Sequence, residues 1–305
     1  MGNVITEVNI GKLKLKNPVM VSSGTFGYGR EYSEYIDLNK LGAIVTKGTS
    51  AIPWKGNKPP RITEVYGGMI NAIGLQNPGV HAFIKNDLAW LKKFDTKIIV
   101  NIVGKTVEDY IEVASILNKQ DIDGIELNLS CPNVKEGCIA FGTTYSGVKE
   151  VTTRVREVFD GTLIVKLTPN VTSIEETAKG AEEGGADAIS LINAILAMSI
   201  DINTRKPIVA NNMGGLSGPV VKPIAVRMVY QASKTVKIPV IGMGGIMNAK
   251  DALEFIIAGA SAVSIGTANF INPNASVEVI EGIQKFMIDN KITNVNELTG
   301  SLIMN

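Results

Sequence analysis

Eight short apolar runs, each closed by a polar or Gly-rich break, alternate with helical patterns along this chain, and no other feature restricts its fold as strongly. The runs are Val19–Ser22, Ala43–Thr46, Ile98–Ile102, Gly124–Asn128, Leu163–Leu167, Ala188–Ile192, Pro239–Gly242 and Ala262–Ile265. They are nearly continuous rather than alternating in polarity, which suits strands buried on both faces of a parallel sheet. Helical periodicity is clear over Val107–Asn118, Ser146–Phe159, Ile174–Glu183, Pro219–Thr235 and Ala249–Ala258. Gly184-Gly185 and Gly259 stand where helix stops are needed, because glycine accepts the left-handed conformation that ends a helix. Eight such units predict an α/β fold, a single (β/α)8 TIM barrel with long βα loops at its C-terminal face. A doubly wound open sheet is the alternative built from the same alternation. The chain has 305 residues, and barrels of this kind often exceed about 250 residues as one domain. Residues 1–305 are therefore read as one domain.

Composition narrows the function. Thirty Lys and Arg against 29 Asp and Glu leave a net charge of +1, so the basic excess of a nucleic-acid or anionic-membrane binder is missing. Two cysteines make no disulfide framework, and the spacing of Cys131 and Cys138 fits neither a zinc nor an iron–sulfur site. One histidine, His81, cannot build a His-based metal site, so no metal is expected. It follows Pro78-Gly79 and is placed at an exposed helix start. Residues 1–7 lack the basic start and apolar run of a signal peptide. The longest uncharged stretch, 255–277, carries Asn269, Asn272, Pro273 and Asn274, which argues against a membrane span. A cytoplasmic location with reduced thiols is the expectation.

Three βα connections are long: 48–78, 129–144 and 193–218. Long connections in a barrel lie at the mouth where active sites form. The strand ends carry Ser23, Lys47, Asn101, Asn128, Lys166 and Asn193, which would converge there. For any single Asn the plainer reading is a turn former or cap. Lys166 differs, because a lysine inside Ile-Val-Lys-Leu is buried and needs a partner, and such a group points to function. Gly242-Met243-Gly244-Gly245 and Gly266-Thr267 follow the seventh and eighth runs. Those two loops hold phosphate in many barrels, since small residues open backbone N–H groups to an anion; unliganded Gly turns are the alternative. Cys131, just past the fourth run, is either a nucleophile or base on a mouth loop or a small buried hydrophobe. Cys138 takes the second reading. Residues 4–16 read as a hairpin closing the barrel bottom.

Several motifs in a fixed order carry a resemblance. They are Asn71-Ala-Ile-Gly-Leu-Gln-Asn-Pro-Gly79, Asn128-Leu-Ser-Cys-Pro-Asn-Val-Lys135, Val165-Lys-Leu-Thr-Pro-Asn-Val-Thr172 and Gly214-Gly-Leu-Ser-Gly-Pro219. Together they resemble the dihydroorotate dehydrogenases, over a span from Asn17 to about Thr267 that is most of the chain. Ser130-Cys131 separates the chain from the membrane-bound, quinone-linked class, whose base is Ser. Lys166–Thr172 and Arg205-Lys206-Pro207 resemble the NAD-linked class 1B catalytic subunit more than the fumarate-linked class.

The resemblance implies oxidation of (S)-dihydroorotate to orotate in pyrimidine biosynthesis, with FMN as cofactor. Cys131 would take the C5 proton while the C6 hydride passes to the flavin. Lys47, Asn71, Ala72, Ile73, Gly74, Leu75, Asn128, Asn193 and Ala194 would hold the substrate, amides reading a flat ring rich in N–H and C=O. Ser23, Lys47, Gly48, Asn101, Asn128, Lys166, Ile192 and Gly218 map to flavin contacts, and Gly244, Gly245, Gly266 and Thr267 to its phosphate. Two positions depart from the family pattern. Ala194 replaces the usual Thr and lacks its hydroxyl, and Lys47-Gly48-Thr49-Ser50 replaces Lys-Ala/Thr-Thr-Thr. The chain carries no iron–sulfur Cys set and no second nucleotide motif. A class 1B chain would pass electrons to NAD+ through a partner subunit bearing FAD and a 2Fe–2S cluster, in a heterotetramer around a catalytic homodimer. The competing readings are a fumarate-linked dihydroorotate dehydrogenase, a non-redox lyase with Lys166 as Schiff-base amine, and a non-catalytic phosphate- or flavin-binding subunit.

Overall fold

The computed structural model describes residues 4–130 and 141–305. Cys131 and Cys138 lie outside the described residues. Eight parallel strands close a barrel: β1 (Val19–Val21), β2 (Ala43–Val45), β3 (Lys97–Ile102), β4 (Gly124–Asn128), β5 (Thr162–Lys166), β6 (Ala188–Leu191), β7 (Val240–Met243) and β8 (Ala262–Ile265). Each pairs with the next, and β8 pairs with β1 through Ser264 opposite Met20. The closed barrel excludes the doubly wound alternative. Every residue of β1, β2, β4, β5, β6, β7 and β8 is buried, the burial that continuous apolar runs require when helices cover the outer face.

The covering helices are a run over 80–91 (α1) with a widened π turn at Ile84–Leu88, then α2 (Val107–Leu117), α3 (Tyr145–Arg156), α4 (Ile174–Glu183), α5 (Lys222–Thr235), α6 (Ala249–Ala258) and α7 (Ala275–Asp289). Side-chain caps start four of them. Thr106, Thr144, Ser173 and Asn248 each accept from the backbone N–H three residues on, satisfying a donor the helix leaves open. Gly259 ends α6 at φ 125° and Gly185 follows α4 at φ 94°, where other residues are strained. Between β1 and β2 there is no long helix. A four-residue helix, Ser23–Phe26, and two 3-10 turns fill the gap, because Gly27 and Gly29, both at positive φ, interrupt any longer run.

The N-terminal hairpin, Val8–Ile10 paired with Leu13–Leu15, buries its apolar face. Its turn residue Gly11 lies against Asp187, just before β6, so the hairpin covers the N-terminal end of the barrel. At the opposite end, two long connections fold into each other. Ile62–Val65 and Gly68–Asn71 come from the first, and Ile195–Ala197 and Gly214–Ser217 from the second. They form one antiparallel sheet in which Gly215 faces Asn71 and Ser217 faces Met69. A small core of Ile70, Ala72 and Val209 seals it. No helix among the described residues is long and apolar enough to cross a membrane.

Candidate functional site

Under that roof lies a cavity at the C-terminal ends of the barrel strands. Parallel register explains its polar floor. Asn101 on β3 pairs with Glu126 on β4, Asn128 on β4 with Lys166 on β5, and Lys166 with Ser190 on β6. Asn101, Asn128 and Lys166 line the cavity, although all three are at most 5 % exposed. Lys166 has the partner that its burial demands. Its ammonium lies 3.8 Å from Glu126, itself buried.

The floor amides are joined in a line. Asn101 Nδ2 donates to Glu126 Oε2 at 2.6 Å and Asn128 Nδ2 to Asn101 Oδ1 at 3.3 Å. Asn128 Oδ1 accepts from the Ser130 hydroxyl at 2.7 Å and the Ser130 N–H at 3.2 Å. Asn193 Nδ2 donates to the carbonyl and hydroxyl oxygens of Ser130, both at 2.9 Å. Tyr110 on α2 donates to the Asn128 carbonyl at 2.9 Å. This connected network holds three amides in fixed orientations, ending one residue before Cys131.

Ser23 lies past β1, and Lys47 and Gly48 past β2; all three line the cavity. The Lys47 N–H donates to the Gly27 carbonyl at 2.8 Å. Burial, helped by the nearby Arg61 cation and opposed by Glu31, pushes the Lys47 ammonium below its ordinary pKa. An anion entering the cavity would relieve that penalty. Gly48 is small for a reason: a Cβ there would lie 3.1 Å from Asn101 Oδ1.

At the other end, Ile192, Gly218, Gly244, Gly245, Gly266 and Thr267 line the wall. Gly244 has φ 121° and Gly245 φ 78°. A Cβ on Gly245 would lie 2.8 Å from the Gly218 carbonyl oxygen. The loop therefore packs at backbone distance against the start of α5, leaving bare backbone toward the cavity, which suits a phosphate. Thr267 donates to Ser217 Oγ at 2.9 Å and ties this end to the roof.

The roof contributes Asn71, Ile73, Gly74, Leu75, Asn193 and Ala194. Ala72 does not reach the cavity. Its side chain is fully buried in the roof's own core, its N–H donates to Arg61 and its carbonyl accepts from Asn57. Ala194 has both backbone groups engaged, the N–H by Asn193 Oδ1 and the carbonyl by Asn170 Nδ2. His81 is exposed in the first turn of α1, away from the cavity lining.

The roof and rim also bring in residues that sequence reasoning passed over, among them Ser22, Met69, Ser217 and Phe270. Pairing between distant loops places Met69 and Ser217, whereas Ser22 directly follows β1 and Phe270 lies in the short helix Ala268–Ile271 after β8. Glu126 was markable: an acid inside the apolar run Gly124–Asn128 is as anomalous as Lys166 inside its own.

Cationic groups, oriented amides, a run of glycines and an apolar rim around one cavity fit a planar phosphorylated cofactor. Comparison with known proteins identifies the family. The family model described as dihydroorotate dehydrogenase matches residues 5–287. The chain is 60 % identical over 295 residues to a protein of Lachnoclostridium phytofermentans named dihydroorotate dehydrogenase B (NAD(+)), catalytic subunit, covering 97 % of this chain and 98 % of that one. A protein of the same name from Alkaliphilus metalliredigens is 60 % identical over 302 residues, 99 % of this chain and 100 % of the relative. Another from Geotalea uraniireducens is 53 % identical over 304 residues, 99 % and 100 % of the two chains. The chain belongs to the dihydroorotate dehydrogenase family.

Proposed function

We propose that this chain oxidises (S)-dihydroorotate to orotate with FMN in the cavity, as the catalytic subunit of an NAD+-linked enzyme of pyrimidine biosynthesis. The observation that carries the reading is the convergence of Lys166, Asn128, Asn193 and the 244–245 glycine cradle on one cavity, in a chain 60 % identical to NAD+-linked catalytic subunits over nearly its full length. FMN, when bound, supplies an acceptor for the two electrons leaving the substrate.

The chain's own groups do the rest. Gly244, Gly245, Gly266 and Thr267 hold the phosphate, the backbone being bare there. Lys166 brings a fixed positive charge to the floor, where negative charge grows during the reaction. Lys47 faces the substrate carboxylate. Asn71, Asn128 and Asn193 offer donors and acceptors already oriented by their own hydrogen bonds, so little is lost in ordering them. Cys131, one residue past the anchored Ser130, is the base that removes the C5 proton.

Residues 1–305 form one domain in this reading. Electrons leave through an FAD- and 2Fe–2S-bearing subunit in the cytoplasm, within a heterotetramer built on a catalytic homodimer. Fumarate is the alternative acceptor; the names of the relatives favour NAD+. The test is the visible spectrum of the purified protein under anaerobic conditions, before and after dihydroorotate. A yellow protein that bleaches is expected. A protein that stays colourless when supplied with FMN overturns the proposal.

A further inference from the structure

Glu126 is a buried charge for which the reaction just described has no task. It sits in the middle of β4 at 2 % exposure, where a carboxylate is costly unless its oxygens are satisfied. They are satisfied mainly by neutral groups. Oε1 accepts from Ser190 Oγ at 2.7 Å and Oε2 from Asn101 Nδ2 at 2.6 Å. Lys166, the lysine of the cavity floor, stays 3.8 Å from Oε2. That is close enough for attraction and beyond hydrogen-bond reach. The carboxylate is held by its neighbours, and the ammonium keeps its N–H donors for whatever occupies the cavity it lines.

The same carboxylate sets a direction. It can only accept, so Asn101 turns its NH2 toward it and its carbonyl toward Asn128. Asn128 must then donate, which leaves its oxygen for Ser130. Ser130 is left to accept from Asn193.

We propose that Glu126 is a positioning residue, a counter-ion clamped by Ser190 and Asn101 that sets how much of the Lys166 charge reaches the flavin site. The proposal rests on the reading that the cavity takes FMN. Two variants separate it from a structural role. Glu126→Gln keeps shape and bonds, since its carbonyl can face Asn101 and its NH2 the Ser190 hydroxyl, which turns to accept. Only the negative charge is lost, and Lys166 then favours the reduced, more negative cofactor. Ser190→Ala keeps the charge but releases Oε1, so the carboxylate loses one side of its clamp and can turn toward the ammonium and draw it from the cavity.

The experiment is an anaerobic redox titration of both FMN-loaded variants against the wild-type protein, with melting temperatures of the cofactor-free forms. Glu126→Gln is expected to tighten binding of reduced relative to oxidised FMN about tenfold, raising the potential by about 30 mV for a two-electron couple. Ser190→Ala is expected to lower it. Shifts of the same sign, or no shift in Glu126→Gln, overturn the proposal, because a structural role lowers melting temperatures without opposing the two potentials. Should Glu126→Gln fail to fold, a Ser190→Ala potential that is unchanged or raised overturns it alone. A wild-type protein that binds no FMN overturns the reading beneath, and the proposal with it.

Discussion

Replacing Gly245 by Ala tests the anion cradle where its geometry is tightest. The added methyl would lie 2.8 Å from the Gly218 carbonyl oxygen, 2.8 Å from Lys222 Cβ and 2.9 Å from the Lys222 nitrogen. Two of those three atoms are backbone, one in the roof connection and one at the start of α5, so no flexible side chain can yield. The backbone adds its own cost, since Gly245 has φ 78° and a side chain in the left-handed region costs about 1–2 kcal/mol. Overpacking a tight site costs about 1–3 kcal/mol more. The sum, roughly 2–5 kcal/mol, is a large share of the 5–15 kcal/mol typical of whole domains. Gly266 is the control. It lines the same cavity, yet its Cβ would meet nothing closer than 3.5 Å, and its φ is not in the left-handed region. Urea unfolding of the cofactor-free proteins should show a clearly lower midpoint for Gly245→Ala, and for Gly266→Ala a change within about 0.5 kcal/mol. FMN affinity, read by fluorescence quenching, should fall for Gly245→Ala as the 244–247 loop moves to make room. A Gly245→Ala protein with wild-type midpoint and affinity would show that the loop is slack and no cradle exists.

Two further outcomes are expected. Cys131→Ala should retain FMN and fold while reduction of the cofactor by dihydroorotate slows by about 10²–10⁴-fold, the usual size of a general-base contribution; stopped-flow kinetics with a wild-type rate would remove Cys131 from the chemistry. Lys47 predicts a pH dependence whose sign follows from its lowered pKa. The unfolded chain holds that proton more tightly than the folded one, so stability of the cofactor-free protein should gain as pH rises from the lowered value toward 10.5. Orotate affinity should fall over the same window as the ammonium is lost, and Lys47→Met should flatten both profiles in calorimetric titrations.

The barrel strands were legible because burial on both faces writes itself as unbroken apolar runs, which is why Gly124–Asn128 and Ala262–Ile265 appear at the same limits in sequence and structure. Helices with strong caps, such as Ile174–Glu183 behind Ser173, were equally plain. Of the run 80–91 only the start, at His81, was read, and the fifteen-residue α7 was not picked out. The first contains a π turn that breaks the 3.6-residue period, and the second begins inside the uncharged stretch ending at Val277. The strand-end residues Lys47, Asn101, Asn128, Lys166 and Asn193 could be found because the barrel topology brings strand ends together, whatever their separation in sequence. The roof could not. Its pairing of Asn71 with Gly215 joins residues far apart in sequence, in loops with no mutual signature. Ala72 shows the same limit: it sits within the 71–75 motif, yet the sheet turns its side chain into a private core.

The shared roof sheet also bears on how such a protein can change. Because Met69 faces Ser217 and Ile70 faces Leu216 across one antiparallel ladder, neither long connection holds its shape without the other. Insertion or exchange in one segment displaces Asn71 on one side and Asn193, two residues before the partner strand Ile195–Ala197, on the other. The two connections thus form one heritable unit split across the gene. A chimera with a distant relative should keep its roof only when 48–78 and 193–218 are transplanted together, and single-segment grafts should lose the ligand pocket while the barrel beneath still folds.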